Sequence, residues 1–146
     1  MKLRIQRLHP DAKLPLRATP GAAGYDLTAV SVKHDPELHT WTYDTGLAFE
    51  LPMGYEGQLR PRSSIYKTGA VLANSVGTLD SDYRGPVKLV FLSHHQPYQV
   101  GERIAQLIIA KVETANFEVV DDLSTTERNQ GGFGSTGNGS LGYGKL

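Results

Sequence analysis

Gly77-Thr78-Leu79-Asp80-Ser81-Asp82-Tyr83-Arg84-Gly85 runs directly into an apolar stretch, Val87, Leu89, Val90, Phe91 and Leu92, and this junction decides the fold. Turn-forming glycines beside strand-like residues predict a tight corner that feeds a buried strand. Two carboxylates, a phenol and a guanidinium at such a corner are held by a stiff scaffold yet face a cavity, which is what a catalytic base requires. Taken alone, an acidic turn of this kind reads as solvated surface rather than as a catalytic site. The rest of the chain has to decide.

Working outward, strand-like pieces recur at Lys2 to Gln6, Thr28 to Val32, Gly46 to Leu51, Tyr55 to Arg60, Val87 to Leu92, Ile104 to Val112 and Asn116 to Val120. They are punctuated by Thr19-Pro20-Gly21, Pro52-Met53-Gly54 and Gln96-Pro97. Many short strands with regular turns predict an all-β sandwich or barrel. One short helix fits, over Arg62 to Thr68, with Ser63 or Ser64 as its cap and Gly69 as its stop. No internal repeat or linker divides the chain.

A chain of 146 residues is enough for one domain with its own core. Fifteen basic residues balance fifteen acidic ones, so no net basic face is expected and a nucleic-acid partner is disfavoured. A small anionic ligand remains open, because a few placed arginines suffice for phosphate. The absence of cysteine excludes disulfides, zinc-cysteine sites and thiol nucleophiles. The N-terminal stretch Met1 to Leu8 alternates charged and apolar residues, unlike a signal peptide. No apolar run approaches the roughly 20 residues needed to cross a bilayer. A soluble, cytoplasmic protein without membrane contact is expected.

The chain changes character at Asn129, where Gly131, Gly132, Gly134, Gly137 and Gly139 crowd around Phe133, Ser135 and Thr136. This predicts a single β domain over 1–128 and a glycine-rich arm over 129–146. Such glycine density has a high ordering cost and little to bury, so a flexible tail is one reading. The other is a phosphate-cradling arm ordered by ligand, in which backbone N–H groups and hydroxyls converge on an anion and Arg128 adds charge. Phe133 suits a planar ligand better than a mere linker.

Five segments together resemble the trimeric dUTP nucleotidohydrolases, or dUTPases. They are Ala23-Gly24-Tyr25-Asp26-Leu27, Pro61-Arg62-Ser63-Ser64, Gly77 to Gly85, Gly101-Glu102-Arg103-Ile104-Ala105-Gln106-Leu107, and Arg128 with Gly131 to Gly137. The resemblance runs from about Leu3 to Gly137. It implies a distorted β jelly-roll, a homotrimer with sites shared between subunits, and conversion of dUTP and water to dUMP and pyrophosphate with Mg2+. Such an enzyme keeps uracil out of DNA and supplies dUMP for dTMP synthesis.

By that resemblance, Asp80 is the base for the attacking water, and Tyr83 packs beneath the deoxyribose, leaving no room for a 2′-hydroxyl. Asp82 is expected to be structural, since alternate residues of an extended segment point apart. Asn74 and Gly77 belong to the hairpin that reads uracil. Arg62, Ser63, Ser64 and Gln106 match phosphate-contacting positions; an arginine with hydroxyl and amide donors at a helix start is also an anion site on chemistry alone. Asp26 matches an aspartate that holds magnesium through its bound water, with no direct protein ligand. Arg128 matches the γ-phosphate arginine, Phe133 the uracil stack, and Gly134, Ser135 and Thr136 the cradle. The family usually has glycine after that arginine; this chain has Asn129, which tolerates left-handed backbone.

The five histidines fall outside these segments and read as surface. Two alternatives stay open on sequence. One is a dCTP deaminase-like enzyme of the same architecture, although no glutamate stands between Thr78 and Tyr83. The other is a nucleotide-responsive regulatory trimer that binds a protein partner.

Overall fold

The computed structural model describes residues 1–135. It divides into two compact units, Met1–Glu113 and Thr114–Leu146. The first carries ten strands: β1 Arg4–Arg7, β2 Tyr25–Thr28, β3 Ser31–Asp35, β4 Thr40–Asp44, β5 Leu47–Glu50, β6 Tyr55–Pro61, β7 Val71–Leu72, β8 Gly77–Leu79, β9 Lys88–Leu92 and β10 Arg103–Lys111. A single turn of 3-10 helix spans Ser63–Lys67.

Two four-stranded antiparallel sheets, in the orders β2-β10-β6-β8 and β3-β4-β9-β7, are accompanied by a separate antiparallel pair, β1-β5. Neighbours in these sheets are mostly not neighbours in sequence, the crossover pattern of a jelly-roll. Inward positions alternate with outward ones. Leu89 and Phe91 are buried on β9 between exposed Lys88 and Leu92, and Leu79 is buried on β8 beside exposed Thr78. Leu27, Leu59, Leu79 and Leu107 of one sheet and Tyr43, Leu89 and Phe91 of the other belong to the same buried cluster. Each fully buried leucine or phenylalanine contributes about 1.5–3 kcal/mol of transfer free energy. At Gly57 a Cβ would press to 2.8 Å from Leu107 and 3.2 Å from Leu79, so the central strand needs glycine there.

Several sequence expectations shift. The strand expected over Thr28 to Val32 is broken, with β2 ending at Thr28 and β3 starting at Ser31. The expected helix is 3-10, its N-cap is Arg62, and no side chain caps it, so neither Ser63 nor Ser64 takes that role. Gly69 does follow the helix, with φ +66°. Asn116 to Val120 forms no strand: Phe117 and Val119 are almost fully exposed, and no neighbouring strand among the described residues supplies the missing hydrogen bonds. Strand β4 was not anticipated, although Trp41 and Tyr43 alternate with threonines.

Candidate functional site

The polar corner that opened the sequence reading is a real turn. Strand β8 stops at Leu79, and the Tyr83 N–H donates to the Asp80 carbonyl at 3.2 Å, closing a four-residue turn. The segment is therefore not extended past Leu79, and alternation does not separate Asp80 from Asp82. Both are exposed, as part of the turn. Asp80 and Tyr83 line a cleft of about 320 Å³ together with Leu59, Asn74, Thr78 and Lys88. The exposed Asp80 carboxylate takes no hydrogen bond from the described residues. Gly77 lies buried beneath, where a Cβ would stand 3.1 Å from Leu59 and 3.6 Å from the Asn74 amide. Tyr83 is 44% exposed, with its hydroxyl donating to the Pro86 carbonyl at 3.2 Å.

A second cluster spans the edge strand β2, the central strand β10 and the end of β6 in the same sheet. Asp26 on β2 and Arg60 on β6 both pair with Gln106 on β10. Arg62 Nε donates to Asp26 Oδ1 at 3.2 Å, and Arg103 donates to Asp26 Oδ2 at 2.9 Å. The Asp26 side chain is only 13% exposed, so this carboxylate is largely withdrawn from water but doubly paired. Arg62 also reaches the Arg103 carbonyl at 3.4 Å. Gln106 donates through Nε2 to the Pro61 carbonyl at 3.2 Å, and its side chain lies so close over Gly24 that any Cβ there would overlap it. Ser63 and Ser64 open the 3-10 turn directly after Arg62. Arg103 was not singled out from sequence, though a basic residue beside Gln106 was the available signal. Lys88 was also missed. It reaches Asp44 at 3.7 Å from the rim of the first cleft, and nothing in the sequence pattern points there.

These clusters do not meet within one chain. β2 and β8 are the outer strands of a four-stranded sheet, three strand spacings or about 14 Å apart. The Asp26 row also sits three residues along β6 from the Leu79 row, roughly 10 Å more.

The second unit holds the arm residues. Arg128 Nε donates to the Gly131 carbonyl, whose own N–H returns to the Arg128 carbonyl, both at 2.9 Å. Asn129 is left-handed at φ +41°, and its side chain accepts from the Thr126 N–H while the Thr126 hydroxyl accepts from the Asn129 N–H. The departure from the usual glycine is thus accommodated. Phe133 is also left-handed, at φ +50°, and fully exposed; Gly134 follows at φ +85°. The Ser135 N–H donates to the Gly132 carbonyl at 3.0 Å. Thr136 lies outside the described residues.

No three His, Asp or Glu side chains among the described residues are grouped to grip a metal. The two guanidinium partners of Asp26 make its cluster net positive, so a lone cation does not fit there and only one carried in on an anionic ligand would. A carboxylate has about four lone-pair sites, and the two guanidinium bonds leave acceptor capacity for metal-bound water. The histidines lie elsewhere: His34 stacks on Trp41 at 4.0 Å, and the His39 and His94 rings are 4.9 Å apart. No helix among the described residues is long and apolar enough to cross a membrane.

An antiparallel jelly-roll thus carries an aspartate–tyrosine corner at β8 and an arginine–aspartate cluster reaching β2, carboxylate, phenol and guanidinium groups of the kind that bind an anionic ligand. A dUTPase family model matches residues 10–137, and the chain belongs to the dUTPase family. A deoxyuridine 5'-triphosphate nucleotidohydrolase of Nautilia profundicola is 44% identical over 141 residues, covering 94% of this chain and 99% of that one. Its counterpart from Wolinella succinogenes is 43% identical over 141 residues, covering 94% and 95%. Among solved structures, a mutant Staphylococcus bacteriophage 80alpha dUTPase with dUpNHpp superposes with a TM-score of 0.82 at 25% identity, covering 93% of this chain and 98% of that one.

Proposed function

We propose that this chain is a dUTP diphosphatase that cleaves dUTP to dUMP and pyrophosphate by water attack on the α-phosphorus. The observation that carries this is the Asp80–Tyr83 turn, which hangs an unencumbered carboxylate and a tyrosine ring on one cleft. Asp80 orients the water and accepts its proton as the phosphorus–oxygen bond forms, and pyrophosphate leaves with the broken bond's electrons. Tyr83 lies under the sugar and excludes a 2′-hydroxyl. The hairpin of Asn74 and Gly77 reads uracil. Arg62, Ser63, Ser64 and Gln106 hold the α- and β-phosphates.

Mg2+ bound to the triphosphate would neutralise its charge, with Asp26 holding the ion's water rather than the ion, in keeping with magnesium's reluctance to dehydrate. Arg128, at the root of an arm over 129–146, acts with the arm's Phe133, Gly134, Ser135 and Thr136 as it closes on the nucleotide and excludes water.

The site is completed by other copies of the chain in a homotrimer. Its support is the separation of the two clusters across the sheet, too wide for one phosphate-to-sugar span, and the exposed Phe117 and Val119, which bury nothing in their own unit. We place the protein in the cytoplasm, where its substrate arises.

The test is pyrophosphate release from dUTP, with dCTP, dTTP and UTP as controls, each with and without magnesium. Turnover of dUTP alone, dependent on the ion, is expected. No hydrolysis by the wild-type protein would end this reading, and ammonia from dCTP would replace it with deamination.

A further inference from the structure

Tyr83 can stand in its place only because residue 85 has no side chain. After the Asp80–Tyr83 turn the ring folds back over Gly85. A Cβ built on Gly85 would overlap the Tyr83 hydroxyl and lie 3.0 Å from its ring carbon Cε2. Real Cβ atoms do not approach atoms so closely, so the ring or the backbone would have to move. The backbone itself makes no demand for glycine here. The described glycines with left-handed φ are Gly46, Gly54, Gly69, Gly101 and Gly134, and Gly85 is not among them. The requirement comes from the ring.

The ring is also the part most free to yield. It is 44% exposed, and its hydroxyl holds on by one bond to the Pro86 carbonyl. The turn's backbone, by contrast, is anchored between β8 and the buried Val87, whose N–H donates to the Leu47 carbonyl at 2.8 Å. A methyl group at position 85 therefore displaces the ring from its seat and leaves the turn in place.

We propose that Gly85 is a positioning residue that sets discrimination at the sugar 2′-position by seating the Tyr83 ring. This rests on the reading of Tyr83 as the sugar gate. The seat works by absence: the ring sinks onto the bare Cα, and the floor of the cleft is fixed at the depth that admits a 2′-hydrogen and rejects a hydroxyl. Steric rejection is lost when the wall that clashes can rotate away.

The experiment compares wild type, Gly85→Ala, Tyr83→Ala and the double variant by pyrophosphate release from dUTP and from UTP, with thermal midpoints for each. Gly85→Ala is expected to cut the dUTP-to-UTP ratio of kcat/KM by about 10-fold or more. The double variant should match Tyr83→Ala, because a seat without a ring has nothing to position. Wild-type selectivity in Gly85→Ala, alongside lost selectivity in Tyr83→Ala, would overturn the role of Gly85. Wild-type selectivity in Tyr83→Ala would overturn the sugar gate itself, and the seat with it. If Gly85→Ala unfolds, the double variant decides: recovery of a folded midpoint supports the clash with the ring, and continued unfolding refutes it.

Discussion

The Asp26 carboxylate and the Arg62 guanidinium are already paired, Oδ1 to Nε at 3.2 Å, and Arg103 takes the other oxygen at 2.9 Å. A phosphate arriving at Arg62 therefore meets an arginine whose orientation is fixed in advance. Asp26→Asn should destabilise the protein by about 1–2 kcal/mol, less than a fully buried pair would, because Arg103 is half-exposed. Arg62→Ala should cost less stability, since Arg103 still satisfies Asp26, but should raise KM for dUTP about 10-fold or more. Urea midpoints and steady-state kinetics on the two variants separate these effects. An Arg62→Ala enzyme with unchanged KM would remove Arg62 from the phosphate site.

The Asp80 carboxylate has no hydrogen-bond partner among the described residues, and the turn bond is made by the Asp80 backbone carbonyl, so Asp80→Asn has no fold contact to break. We expect an unchanged melting midpoint and a kcat reduced about 10²–10⁴-fold, the usual worth of a general base. KM should move much less. Retained turnover would shift the base to another residue.

The corner and the strands around it were legible because their physics is local. Leu79 sits between polar Thr78 and Asp80, Leu89 to Leu92 form an unbroken apolar run, and glycines mark the bends. Motif order supplied the candidate residues. What sequence could not give was partnership across the sheet. That Arg103 clamps Asp26, 77 positions away, follows from the β2–β10 register and from no pattern along the chain. Asn116 to Val120 misled for the matching reason. Strand propensity reports fit to a pleated surface, and this segment's own unit offers none. The cap at Ser63 or Ser64 failed because the helix starts at Ser63, which makes Arg62 the N-cap and puts both serines inside the turn.

Gln106 owes its position to Gly24 as well as to its bond with the Pro61 carbonyl. Gly24→Ala should evict the Gln106 side chain and break that bond, destabilising the protein by about 1–2 kcal/mol. Its loss of kcat/KM should equal that of Gln106→Ala, and the double variant should lose no more activity than either alone. Additive losses would mean that Gly24 acts independently of Gln106.

Asn129 already occupies the left-handed conformation that a glycine would supply, and it exchanges two hydrogen bonds with Thr126. Asn129→Gly should thus leave kcat/KM within about twofold, since backbone geometry is kept while the local bonds are worth little in water. Phe133→Ala should raise KM for dUTP about 5–10-fold, the loss of one aromatic stack. A Phe133→Ala enzyme with wild-type KM would leave the exposed ring without a ligand.

Burial makes two core phenols harder to ionise. Burial pushes the pKa of Tyr43 above the ordinary 10.0, against the pull of its bond to the Tyr98 carbonyl. Burial likewise raises Tyr98, opposed by the Arg62 charge. A phenol with a raised folded pKa binds its proton more tightly folded than unfolded. Its contribution is complete below about pH 10 and is lost as pH climbs through the higher folded value. The urea midpoint should fall above pH 10, and each Tyr→Phe variant should make that fall shallower. At neutral pH the two variants should part ways. The Tyr43 hydroxyl donates to the Tyr98 carbonyl at 2.7 Å and accepts from its N–H at 3.1 Å, so Tyr43→Phe strands two buried groups and should cost about 1–3 kcal/mol. The Tyr98 hydroxyl is buried with no partner among the described residues, so Tyr98→Phe should be neutral or stabilising by up to about 1 kcal/mol. A marked loss in Tyr98→Phe would instead place a hydrogen-bonded water at that hydroxyl.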